Sequence, residues 1–228
     1  MIEIEGLIIN VEKYKDYDLI VQIVSEEGII SALNRGALRP KAKLNFANYI
    51  LSNGKIELYK GGQSYYKIKN INPNFDIKKS FSDINAMFSY DFIRELTKKM
   101  NFENIFVKNL YKVLLNTVVS IDNKEFIFFQ DLRYFYFLLD SNGVFPSLHL
   151  DDTLYFSFDK SVFVHNVEKN ENYCILDKRV VSTLQNIIEI RPCEIDVFTF
   201  KEVFNYFTII ASSFLSVELN SKKLLTII

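Results

Sequence analysis

Tryptophan is absent from these 228 residues, and cysteine occurs only at Cys174 and Cys193. Two cysteines exclude a disulfide scaffold and a four-cysteine metal site, and they read as free thiols in a reducing compartment. Histidine is equally scarce. His149 and His165 are the only two, and neither sits in a Ser-His-Asp or Cys-His context. No long apolar run is present. The densest, from Phe126 to Leu139, is interrupted by Gln130, Asp131 and Arg133 and cannot span a bilayer. Glu3 and Glu5 stand where a secretion signal needs positive charge. The expectation is a soluble, cytoplasmic protein without membrane contact. One further absence is local: no acidic residue occurs between Gly28 and Ile56, a window that carries Arg35, Arg39, Lys41, Lys43 and Lys55.

That window stands out because the chain as a whole is nearly neutral, with 27 Lys and Arg against 28 Asp and Glu. Its cations fall on a glycine- and proline-marked loop that follows a strand. Cations held beside a sheet are a footprint for phosphate. The bland alternative is a solvated loop that is basic by chance. Phe (21) and Tyr (13) are abundant, but Phe, Ile, Asn and Lys together are what an AT-rich genome encodes, so aromatic richness alone carries no function.

The two parts of the chain have different periods. Through residue 72 the pattern is that of strands. Ile2 to Val11 is apolar on both faces, and Leu19, Val21 and Ile23 alternate with their neighbours. Ile29 to Leu33 follows the turn at Glu26-Glu27-Gly28. Phe46 to Leu51, then Ile56 to Tyr59 beyond a turn at Ser52-Asn53-Gly54, and Tyr65 to Ile71 after Gly61-Gly62 complete the set. About five short strands in about 70 residues suggest a small closed barrel of the oligonucleotide/oligosaccharide-binding (OB) size. On the last strand Lys67 and Lys69 share a face with Tyr65, a surface suited to stacking and phosphate contact.

Beyond Pro73 the period becomes helical. Ile84, Met87, Phe88, Phe92 and Leu96 mark one helix. Leu110, Val113, Leu114, Thr117 and Val118 mark a second, and Phe126, Phe129, Leu132, Tyr136 and Leu139 a third, ending at Asn142-Gly143. Leu154 to Phe158 and Ser161 to Val167 read as a hairpin across Asp159-Lys160. Asp177 is expected to cap a helix to about Ile190, and Thr199 one to about Leu219. The fold class is therefore α+β: an N-terminal five-stranded OB-type β-barrel over residues 1–72, then a mostly α-helical domain over 73–228 with a small β-hairpin insertion near 144–173. The charges divide accordingly, ten cations against eight acids before residue 73 and 17 against 20 after it.

Several stretches then resemble a known family. Lys15-Asp16-Tyr17-Asp18-Leu19-Ile20-Val21, Glu27-Gly28-Ile29-Ile30-Ser31-Ala32-Leu33 and Arg35-Gly36-Ala37-Leu38-Arg39-Pro40-Lys41-Ala42-Lys43-Leu44 look like the N-terminal signature of RecO, the bacterial recombination mediator family. Leu58 to Gly62, Ser89 to Leu96, Leu138 to Pro146 and Leu219 to Leu225 are similar to later family segments. The resemblance implies a barrel plus a helical domain and no enzyme activity. It implies binding of single- and double-stranded DNA, annealing of complementary strands, and loading of recombinase onto coated single strands in DNA repair. Implied partners are RecR, the acidic C-terminal tail of the single-stranded DNA-binding protein, and in some bacteria RecF, at the nucleoid. Many members carry a four-cysteine zinc site after the Gly-aromatic-x-Pro motif. The corresponding stretch here, Pro146 to Leu154, has no cysteine, and His149, His165 and Cys174 are not spaced to replace it. No metal and no cofactor is expected; packing of Phe156, Phe158, Phe163 and Val164 must hold the hairpin.

With that resemblance, Arg35, Arg39, Lys41 and Lys43 are expected to contact DNA around Gly36, with Lys67 and Lys69 beside them. Lys13 and Lys15 lie next to Asp16 and Asp18 and read as salt-bridged surface. Asp151-Asp152 reads as an exposed turn, since no third acid has the spacing of a nuclease metal site. An acidic, hydrophobic-ended peptide needs an apolar groove with a cation. Arg133 beside Tyr136 on the third helix is the candidate, unless those aromatics are core and Arg133 snorkels. The alternative for the whole chain is a non-enzymatic interaction adaptor whose barrel does not bind DNA.

Overall fold

The structure, a computed structural model, describes residues 1–42, 50–60, 66–74, 83–100, 107–145, 148 and 154–221. These form two compact units, Met1–Asp83 with Ile105–Asp122, and Ile84–Asn104 with Asn123–Ile228.

The first unit is built on a closed barrel of β1 (Ile2–Lys13), β2 (Leu19–Ser25), β3 (Ile29–Asn34), β4 (Asn53–Lys60) and β5 (Tyr66–Pro73). Its strand order is β1-β2-β3-β5-β4, closed by pairing of β4 with β1. All neighbours are antiparallel except β3 and β5. Alternation places Ile4, Ile8, Val21, Ile23, Ala32, Ile56, Leu58, Ile68 and Ile71 in one interior cluster. Burying each of the Ile, Leu and Val side chains among them contributes about 1.5–3 kcal/mol. Leu7 and Ile9 are also buried, so β1 is covered on both faces as its sequence predicts.

Ser52-Asn53-Gly54, expected to turn, instead opens β4. Gly54 pairs with Gly6 across β1 and with Pro73 across β5. A Cβ on Gly54 would run into the carbonyl of Asn72, and one on Gly6 would lie 2.6 Å from Ile23 Cγ2. The glycine is there for close approach of backbones where the barrel closes, not for a turn. The turn falls earlier, at Ile50 and Leu51, where Leu51 adopts φ 71°. The strand expected over Phe46 to Leu51 lies largely outside the described residues, as do Gly61-Gly62 and Tyr65. Two irregularities shape the sheet. Ile9 is the extra residue of β1 between the pairs Ile8↔Ile23 and Asn10↔Gln22. Lys69 is the extra residue of β5 between Leu58↔Ile68 and Glu57↔Asn70. A bulge re-aims the side chain that it carries.

The chain continues through the helices α1 (Ile84–Lys99), α2 (Val107–Asn123), α3 (Ile127–Ser141), α4 (Lys178–Ile188) and α5 (Val197–Leu215). The greater part of α2 belongs to the barrel unit, where Lys108 pairs with Glu26 at 3.4 Å. In the second unit the α1, α3 and α5 rings form a phenylalanine core. Phe92 lies 4.9 Å from Phe204 and 5.5 Å from Phe135, and Phe135 lies 5.6 Å from Phe207. Into this core α3 brings Asp131, fully buried, whose Oδ2 accepts from Ser89 Oγ at 2.5 Å.

The expected hairpin is part of a three-stranded sheet. β6 (Tyr155–Ser157) lies between β7 (Val162–Val164) and β8 (Tyr173–Ile175). Phe156 stacks on Tyr206 of α5 at 4.6 Å and meets Phe163 at 5.1 Å, whereas Phe158 is partly exposed. A polar tie adds to this. The Glu171 carboxylate accepts from the backbone N–H of Glu168 (2.9 Å) and from Lys160 Nζ (3.1 Å). The Ser157 hydroxyl, that N–H and Lys160 together hold its pKa down at about 2. Asp177 caps α4 as expected, accepting from Arg179 N. The cap of α5 is Asp196 rather than Thr199: Asp196 Oδ1 accepts from Phe198 N and Thr199 N at 3.0 Å, and Thr199 Oγ1 donates to Oδ2. Both residues are good caps, and the helix takes the one that satisfies two N–H groups at once. The helix ends at Leu215, not near Leu219, because Ser216 turns left-handed at φ 54°.

Candidate nucleic-acid interface

The basic loop leaves β3 at Asn34 and is tied down immediately. Gly36, at φ +65°, donates its N–H to Asp18 Oδ1 at 2.8 Å. Leu38 N donates to the Tyr17 carbonyl (3.0 Å), Arg39 N to the Gly36 carbonyl (3.1 Å) and Ala42 N to the Arg39 carbonyl (3.0 Å). The left-handed glycine folds the loop back, so that the Arg39 side chain lies 3.4 Å from where a Cβ on Gly36 would stand. The loop is thus cross-stitched to the β1–β2 connection, residues distant in sequence.

This stitching makes a shallow concavity of about 410 Å³ lined by Arg35, Arg39, Lys41 and Lys69, with Asn34 and Asn70 among the remaining lining residues. Lys69 reaches it from the β5 bulge. No carboxylate is among its described lining residues. Among the described residues Arg35, Arg39 and Lys41 form no ion pair, while Lys69 Nζ is 3.0 Å from Glu57 Oε2. That bond is the main cause of a lowered Glu57 pKa. Four cations converge there, and Glu57 beside Lys69 is the one carboxylate paired with any of them among the described residues.

Of the six residues singled out on the barrel, Arg35, Arg39, Lys41 and Lys69 are brought together. Lys67 is not in the lining; its Nζ sits 5.9 Å over the Tyr59 ring, its register partner on β4. Lys43 lies outside the described residues. Among the described residues Lys13, Lys15, Asp16 and Asp18 form no ion pair. Asp18 holds the basic loop, and Lys15 lies 5.3 Å over the Tyr14 ring. Asp18 and Tyr17 were missed because their partners are some 20 residues away. A tyrosine between two acids at a strand–strand connection was the only signal available.

On α3, Arg133 is half-buried and in no ion pair among the described residues, and burial lowers its pKa. Tyr136, one turn on, sets its ring at 4.8 Å against Phe145. Burial and the nearby Asp140 raise its pKa. Among the described residues no group of three His, Cys, Asp or Glu side chains could hold a metal ion, and no helix is long and apolar enough to cross a membrane. His149, Asp151 and Asp152 lie outside them.

Residues 1–74 match the family model described as recombination protein O N terminal. The chain is 30% identical over 105 residues to the DNA repair protein RecO of Lactobacillus acidophilus, covering 46% of this chain and 37% of that one. It is 35% identical over 68 residues to the DNA repair protein RecO of Lactobacillus helveticus, covering 29% and 27%. The matched segments thus span less than two fifths of either relative. A closed five-stranded barrel, a basic loop stitched across it, and the family match over residues 1–74 agree, and this N-terminal part of the chain is similar to the N-terminal domain of recombination protein O.

Proposed function

We propose that this protein is a recombination mediator of DNA repair whose barrel, residues 1–72, holds DNA by its phosphates. The observation that carries the reading is the acid-free concavity where Arg35, Arg39, Lys41 and Lys69 converge. Guanidinium forks and ammonium groups on a rigid loop suit phosphate oxygens and read no sequence, so both single- and double-stranded DNA are ligands. The mechanism is positional. Cations that screen the phosphates of one strand lower its repulsion for a complementary strand, and annealing then needs no nucleophile and no metal. The same hold on a coated strand assists loading of recombinase. The partners in this reading are RecR, in some bacteria RecF, and the acidic, hydrophobic-ended tail of the single-stranded DNA-binding protein. The half-buried Arg133, in no ion pair among the described residues and beside Tyr136, is the proposed anchor for that tail.

The test is annealing of complementary oligonucleotides, with binding measured in parallel, for the wild type and Arg35→Glu/Arg39→Glu. Loss of both in a variant with an unchanged melting curve is expected. If the variant retains both, the concavity is not the site. If the wild type shows neither, the interaction-adaptor reading replaces this one.

A further inference from the structure

We propose that Tyr17 is a stacking platform for a nucleobase and that it biases the barrel toward single strands. This rests on the reading of the adjacent concavity as a phosphate site, and adds to it a contact of a different kind. The Tyr17 side chain lies in the connection between β1 and β2, the loop position that in OB barrels meets oligonucleotides. It is 52% exposed. Leaving so much of an aromatic ring in water forfeits burial that the fold would otherwise gain.

The backbone that carries the ring is nevertheless held in place. The Tyr17 carbonyl accepts from Leu38 N at 3.0 Å, and the next residue, Asp18, accepts from Gly36 N at 2.8 Å and, through its carbonyl, from Tyr14 N at 3.0 Å. Two hydrogen bonds therefore fix this backbone relative to the cationic loop, and the third closes the connection on itself, before any ligand arrives, which reduces the ordering cost of binding. The Arg39 guanidinium carbon stands 5.6 Å from the Tyr17 ring centroid, and Arg39 also lines the concavity. One side chain thus joins the ring to the phosphate site. A guanidinium can occupy only one face of the ring. A base stacked on the ring would place its own backbone phosphate toward the cations. Stacking is indifferent to sequence because every base has a π-face. A duplex cannot present that face without unstacking, which costs it a few kcal/mol. The contact therefore favours single strands.

The absence of tryptophan supplies the experiment, since Tyr17→Trp creates the only indole in the full chain. Binding of an oligothymidylate and of a duplex of equal length would be measured across a salt series for wild type, Tyr17→Ala and Tyr17→Phe, with quenching of the Tyr17→Trp fluorescence recorded beside them. Removing a stacked base contact costs about 5- to 150-fold in affinity. Tyr17→Ala is expected to lose that much for the single strand and little for the duplex, with an unchanged salt slope because stacking releases no counterion. Tyr17→Phe is expected to restore binding, and the indole to be quenched by the single strand. An equal loss for both DNAs, or a shallower salt slope, would show that the ring only props Arg39, and overturns the proposal. Undiminished single-strand binding by Tyr17→Ala overturns it too, while leaving the phosphate site standing. Absence of salt-sensitive binding in the wild type overturns both.

Discussion

Lys69 is the one cation lining the concavity that has a carboxylate partner among the described residues, and this makes Glu57→Gln an informative change. Lys69 Nζ donates to Glu57 Oε2 at 3.0 Å, and both side chains are accessible to solvent. The hydrogen bond from Lys69 lowers the Glu57 pKa below the ordinary carboxylate value. A DNA phosphate that recruits Lys69 must displace this carboxylate and then tolerate it nearby. Glu57→Gln removes the competitor and keeps the shape. The gain is bounded by one full phosphate contact, which steepens the dependence of log affinity on log salt by about 0.7 for single strands. The same relation gives roughly fivefold tighter binding at 0.1 M salt and roughly threefold at 0.2 M. Lys69→Gln should then cost little in the wild type and cancel the whole gain in the Glu57→Gln background, a coupling that a double-mutant cycle reads directly. Fluorescence anisotropy of a labelled oligonucleotide over 0.05–0.3 M salt (roughly the range where such slopes resolve) is the assay. If Glu57→Gln changes neither slope nor affinity while Arg35→Gln lowers both, Lys69 stands outside the footprint and the reasoning fails.

Gly54→Ala forces a Cβ onto the Asn72 carbonyl and should destabilise the barrel by at least about 2 kcal/mol, seen as a lower melting temperature; an unchanged melt would mean that the barrel closes less tightly than drawn here. Asp131 is fully buried, and burial raises its pKa well above 3.8. Because the folded protein prefers the neutral acid, the stability it contributes is complete below the unfolded pKa and is lost as pH rises from there toward the folded pKa, at up to about 1.4 kcal/mol per pH unit. Asp131→Asn should therefore gain on the wild type as pH rises from 4 to 8, and parallel melting curves across that range would refute the argument. Arg133→Ala should weaken binding of an acidic, hydrophobic-ended peptide by about 10- to 100-fold without altering DNA affinity, as titration of the labelled peptide would show.

What the sequence makes legible is what depends on neighbours in the chain. Leu19, Val21 and Ile23 alternate because one face of their strand is interior, and that pattern is local. Phe88, Phe92 and Leu96 recur at helical spacing for the same reason. The acid-free window is local as well, so the cations of the loop could be found without coordinates. Features set by register could not. Gly54 reads as a turn glycine beside Ser52 and Asn53, and only its pairing with Gly6 and Pro73 reveals a close approach. The three-residue β8 is too short to show a period, and exists because β6 offers it an edge.

The same distinction explains which parts of the site were found. Arg35, Arg39 and Lys41 are near in sequence, so their convergence required only a tight loop. Lys69 joins them because an extra residue in β5 re-aims it, and nothing in Lys67-Ile68-Lys69 announces a bulge. Alternation alone puts both lysines on one face, and the bulge sends one to the concavity and leaves the other over Tyr59. Asp18 looks like a counter-ion for Lys15 and is instead the acceptor for Gly36 N. The loop takes its geometry from this bond together with those from Leu38 N to the Tyr17 carbonyl and from Arg39 N to the Gly36 carbonyl, and no local pattern announces Asp18 or Tyr17 as partners.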